Sequence, residues 1–282
     1  MLFTLQVLLP ALLACLVLTG LLGYLGLHIL AREVIFVDIA LAQIAALGTA
    51  VAAYFGTEPH TGASYVWSLA FTICGAGLFA ATRSLRRRIP QEAFIGITYA
   101  VAAALLILVA NSLPHGDEEI KEILVGSLLT VELGEVGVTA LIFAALGVFH
   151  VLCSRRFLAL SFEHGTGDEG WNAALWDFAF YVSFGIVITS AVQMAGVLLV
   201  FSFLIVPAVF SALFAQRLWA RLLIAWSLGA LVSAVGLVLS FRLDLPTGAT
   251  VVMTFGVALV GGALVRAASR LLSRVWESGT GS

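Results

Sequence analysis

In this 282-residue chain the residues best able to do chemistry are the polar and ionisable ones inside apolar runs, because each is costly to place there. Asp38 lies one turn inside the second apolar run, and Gln43 lies deeper in the same run. Glu92 follows Pro90 at the head of the fourth run, and Asp177 stands between Trp176 and Phe178 near the start of the sixth. Carboxylate and carboxamide oxygens are ligands for hard dications. Each residue also has a plainer reading. Asp38 can be an interfacial anchor whose carboxylate reaches water or Arg32. Gln43 can bond a neighbouring helix. Glu92 suits a helix's first turn, where the macrodipole favours an acid. Asp177 fits an aromatic belt at the membrane surface.

A second group lies between the runs. Glu58 and His60 share one loop, and His115, Asp117, Glu118 and Glu119 share another. Imidazole and carboxylate together attract divalent cations, and an acidic surface raises their local concentration. His28 and His150 stand near span ends and read as structural. His164 falls in a long loop and suits a partner interface. Cys15, Cys74 and Cys153 have no metal-binding spacing and read as small core hydrophobes.

The elements that must hold these residues follow from composition. Apolar residues make up 61% of the chain and charged residues 11%, with a mean hydropathy of +1.10. So few charges cannot cover a water-soluble fold of this size. A soluble enzyme, a nucleic-acid binder and a disulfide scaffold are excluded. A membrane helix needs about 20 apolar residues. Nine segments qualify: 4–27, 34–55, 64–82, 92–112, 133–153, 173–192, 195–215, 220–241 and 248–267. The opening stretch has no basic segment ahead of its apolar run and reads as the first span. The chain is therefore expected to be an all-α polytopic membrane protein, a single domain over 1–282. With nine spans, one set of loops and ends holds 12 of the 14 basic residues, from Arg32 to Arg274; the other holds Lys121 and Arg242. The positive-inside rule then places the N-terminus outside and the C-terminus in the cytoplasm. Gly196 and Pro207 read as a turn and a kink.

Two segments are not spans. Residues 113–132 are expected to form a short helix at the outer membrane surface. Residues 155–172 form the longest cytoplasmic loop, with mixed chemistry that another protein can grip. No nucleotide-binding loop occurs, so this chain does not hydrolyse ATP itself.

Four stretches resemble the membrane permease subunits of bacterial zinc/manganese/iron ABC importers. They are LGLHILAREVIFVDIALAQIAALG (25–48), QEAFIGITYAVAAALLILVAN (91–111), EILVGSLLTV (122–131), and MAGVLLVFSFLIVPAVFSALFA (194–215) with LSFRLDLPTGATVVM (239–253). The resemblance implies two permease copies around a central path in the bacterial inner membrane. It also implies a cytoplasmic ATPase that carries the ATP, an extracytoplasmic solute-binding protein, and a divalent cation as cargo with no bound cofactor. The 155–172 loop takes the place of the family's coupling helix, and Phe162, Glu163 and His164 would meet the ATPase. The family's second span usually reads Gly-Asp-Ala-Leu-Ser-His-Ala. Here Gln43 takes the histidine's place and Ile39 the aspartate's, with Asp38 shifted by one residue. Asp38 and Gln43 then stand about 140° apart on a regular helix and share a ligand only if the helix is distorted. Glu92 is the further candidate ligand. Other cargoes fit the same fold, a metal chelate or a small polar solute, and a stand-alone secondary transporter is the alternative mechanism.

Overall fold

The computed structural model describes residues 2–58, 61–82, 89–113, 116, 128–162 and 171–279. Its helices are α1 (Leu2–Arg32), α2 (Val37–Tyr54), α3 (Gly62–Ala81), α4 (Gln91–Ala110), α5 (Leu133–Leu152), α6 (Ser154–Phe162), α7 (Trp171–Ala195), α8 (Val197–Phe214), α9 (Leu218–Leu243) and α10 (Thr247–Gly279). Among the described residues nine helices, all but α6, are long and apolar enough to cross a membrane. A 3-10 turn at Leu128–Thr130 precedes α5; most of the surface helix expected over 113–132 lies outside the described residues.

The helices form two packed groups. In one, α2 packs on α3 and α4, and α3 packs on α7. In the other, α1 packs on α8 and α9, and α10 closes on both of these. Contacts of α2 and α7 with α8, and of α1 with α5 and α7, join the groups into one core. Close approach needs small residues. Gly26 is the clearest case, because a Cβ there would strike the Leu204 carbonyl of α8. Gly196 separates α7 from α8 at φ 78°, a left-handed conformation that favours glycine.

Side-chain bonds fix which helix ends share a side. Arg32 at the end of α1 meets Asp177 at the start of α7. Gln91 at the start of α4 donates to the Phe79 carbonyl at the end of α3 and to the Tyr181 hydroxyl of α7. His150 near the end of α5 bonds Ser183. At the opposite side, Tyr65 of α3 bonds Ser190 of α7, and Ser240 of α9 bonds Thr247 of α10.

Two boundaries differ from expectation. The first span runs on to Arg32, five residues past 27, because His28 and Arg32 are buried with partners from α6 and α7. The first part of the 155–172 loop is helical. Its glycines, Gly165, Gly167 and Gly170, all follow Phe162, so none interrupts α6.

Candidate functional site

α2 is apolar on nearly every side, and its span is among the most enclosed in the bundle, with 72% of its residues buried. The polar exceptions are therefore conspicuous. Asp38, in the first turn, is 2% exposed, and Gln43 is 4% exposed. No group on another helix bonds either carboxylate oxygen of Asp38 or Gln43 Oε1, and the Asp38 carboxylate has only the amides of Asp38 and Ile39 beside it at the head of α2. A buried acceptor without a partner loses its hydration and regains nothing, so such groups are rare in folded proteins. This corrects the reading of Asp38 as an anchor reaching water or Arg32: it is enclosed, and Arg32 bonds elsewhere. α2 runs as one uninterrupted α-helix, so the distortion that would bring Asp38 and Gln43 to one ligand is absent.

Glu92 is half-buried in the first turn of α4, and its Oε1 accepts from the Phe36 amide at 3.3 Å. The acid thus ties α4 to the turn two residues ahead of Asp38. That turn is well defined. Glu33 takes φ 57°, its amide bonds the Leu30 carbonyl, and the Val34 amide bonds the Ile29 carbonyl. This is a Schellman ending for α1, with Val34 and Ile29 both buried behind it.

Beside this turn lies a polar cluster. Arg32 Nη1 donates to Asp177 Oδ1 at 2.9 Å, and Arg32 Nε donates to Ser161 Oγ at 2.9 Å. Ser161 Oγ also lies 2.8 Å from His28 Nδ1. The Arg32 guanidinium carbon sits 3.8 Å from the centre of the Phe180 ring. Asp177 is 3% exposed, so the aromatic-belt expectation is replaced by a buried ion pair. His150 stacks on Phe157 of α6, with ring centres 4.5 Å apart. His28 and His150 are buried, and each has one ring nitrogen on a serine, Ser161 and Ser183 respectively. Sequence reasoning missed the cluster as a unit because Arg32 and Asp177 are 145 positions apart; the available signal was charge within reach of an apolar run.

Two of the remaining candidates, Glu58 and Phe162, lie among the described residues. Glu58 is exposed at the end opposite Arg32. Phe162 faces inward, packing on Leu27, Ala208 and Leu222 with its ring 5.4 Å from that of His28. His60, Asp117, Glu118, Glu119, Glu163 and His164 lie outside the described residues. Among the described residues, no three His, Cys, Asp or Glu side chains are grouped to hold a metal ion.

The model of the ABC 3 transport family matches residues 4–266, nearly the whole chain. The chain belongs to the ABC 3 transport family. It is a membrane permease subunit of a metal-type ABC importer, a multi-pass inner-membrane transport protein and not a catalytic enzyme. The permease works in a multi-subunit complex with separate ATPase and solute-binding partners. Among its relatives, it is 26% identical over 238 residues to the manganese import system permease protein ScaB of Streptococcus parasanguinis, covering 83% of this chain and 82% of that one. It is 27% identical over 203 residues to the manganese transport system membrane protein MntC of Listeria monocytogenes, covering 69% and 72%. In fold the permease resembles a chain of PsaBC from Streptococcus pneumoniae, solved in complex with Fab, at a TM-score of 0.76 and 22% identity over 92% of each chain.

Proposed function

We propose that the permease passes bare divalent cations, manganese foremost, and that Asp38 is the charge that admits them to the membrane. Three buried oxygens on α2 that no other helix bonds, two of Asp38 and one of Gln43, carry this reading. A dication that has shed water needs negative charge where the dielectric is low. A buried carboxylate that no other helix neutralises supplies that charge. Because α2 is regular, Asp38 and Gln43 act at successive positions, about 7.5 Å apart along the axis, rather than in one shell. Oxygen donors suit manganese or iron at least as well as zinc, and relatives named as manganese systems support that order. Glu92 holds the turn beside Asp38 and is the nearest further carboxylate on the neighbouring span.

The rest of the assembly follows the family pattern. The arginine-rich end faces the cytoplasm by the positive-inside rule, with the N-terminus outside and the C-terminus inside. The segment 155–172 docks the ATPase, with Glu163 and His164 at the contact and Phe162 anchoring α6 from beneath. A second copy of the permease completes the path. Asp38→Asn keeps the shape and removes the charge. In proteoliposomes of the full importer it should lower manganese uptake at least a hundredfold with normal complex recovery. Uptake within twofold of wild type would make Asp38 a structural residue.

A further inference from the structure

The Arg32 cluster joins three elements through one side chain. Arg32 ends α1; its Nε reaches Ser161 on α6, and its Nη1 reaches Asp177 on α7. Phe180, a turn along α7, covers its guanidinium. Ser161 is held a second time by His28, one turn back on α1. All four polar residues are under one-tenth exposed. The planar guanidinium presents donors in a fixed fork, so it binds both partners only in one relative arrangement of the three helices. Four residues, 33–36, then connect Arg32 to α2. Their Schellman bonds, together with the Phe36 amide on Glu92, leave this link little freedom. Asp38 is the second residue of α2.

We propose that Arg32 is the positioning residue that transmits displacement of α6 to α2, setting the position of Asp38 in step with the ATPase. This rests on the reading that the α6 segment docks the ATPase. An α6 tied only by apolar contact can slide under load, since such contact is non-directional. A fork of two charge-assisted bonds is directional and resists sliding. Of the other polar groups at this end, Gln91 joins α4 to α3 and α7, and His150 joins α5 to α7, while His28 reaches α6 through the same Ser161.

The test uses the complete importer in proteoliposomes, with manganese as probe, and measures uptake and ATP hydrolysis together. Arg32→Lys retains a cation for Asp177 but loses the fork. Ser161→Ala leaves the ion pair and removes the ties of both Arg32 and His28 to α6, so it keeps the question decidable if Arg32→Lys fails to insert. The expected result is a fall in manganese transported per ATP, about tenfold for Arg32→Lys and about threefold for Ser161→Ala. Hydrolysis, ATPase recovery and the thermal midpoint should stay near wild type. An unchanged transport-to-hydrolysis ratio in Ser161→Ala would overturn the proposal, as would loss of ATPase recovery in that variant, which would assign the cluster to shaping the docking surface. The docking reading is checked separately by a photoreactive residue at the exposed Arg155. No cross-link to the ATPase would sink that reading. A cross-link with unchanged coupling would sink only the role of Arg32.

Discussion

Asp38 and Gln43 occupy one helix yet differ in what they offer a cation. A carboxylate contributes net charge; a carboxamide contributes only a dipole. Imidazole is a better zinc ligand than a carboxamide, so Gln43→His should shift preference toward zinc. We expect the ratio of zinc to manganese uptake, measured in competition, to rise about tenfold. An unchanged ratio would assign Gln43 to helix contact alone. Ionisable character inside an apolar run was enough to single out Asp38 in the sequence. That no other helix bonds its oxygens was not legible there, because Arg32, the nearest cation in sequence, is claimed by Asp177 from α7.

At the scale of elements, the close seating of α1 on α8 depends on Gly26. The obstacle to a larger residue is a backbone carbonyl, which cannot swing aside as a side-chain tip can. Overpacking typically costs about 1–3 kcal/mol. Gly26→Val should therefore lower the thermal midpoint of the purified permease and reduce its recovery from membranes, whereas the same change at Gly20, where an added Cβ would meet nothing within 4 Å, should have little effect. Equal midpoints for the two variants would refute the assignment. α6 shows a related point. The segment SRRFLALSF carries Phe157 and Ser161 one turn apart on its buried face and leaves Arg155 and Arg156 exposed. That pattern was present in the sequence but short, and the glycines beyond it made the whole segment read as a loop.

For the whole molecule, the sequence leads to an expected separation of charge between the two sides of the membrane. Glu58, His60, Asp117, Glu118 and Glu119, which the proposed orientation assigns to the outer side, are expected to draw cations toward the entrance. Such a field is screened over about 8 Å at physiological salt. Replacing the four acids by their amides and His60 by Gln should slow manganese uptake several-fold at low ionic strength. The difference from wild type should shrink as salt rises. A salt-independent rate equal to wild type would reduce this surface to ordinary solvation. The variant should not alter ATPase recovery, because the proposed docking segment belongs to the other set of loops.

By itself the sequence determined the all-α membrane class, the nine spans and the positions of the candidate acids. Apolar length and charge are local properties, and the bilayer selects on them directly. The motifs in order along the chain determined the family. Tertiary structure decided which charged groups are paired. Arg32 had nearby acids in sequence, Glu33 and Asp38, yet it bonds Asp177, because the helices bring α7 and α6 to the end of α1 while α2 turns Asp38 away. Pairing depends on distance in space, and in a helical bundle that distance is set by packing between helices remote in sequence. The same packing carried the first span on to Arg32, since a buried arginine is tolerated only where a partner from another helix meets it.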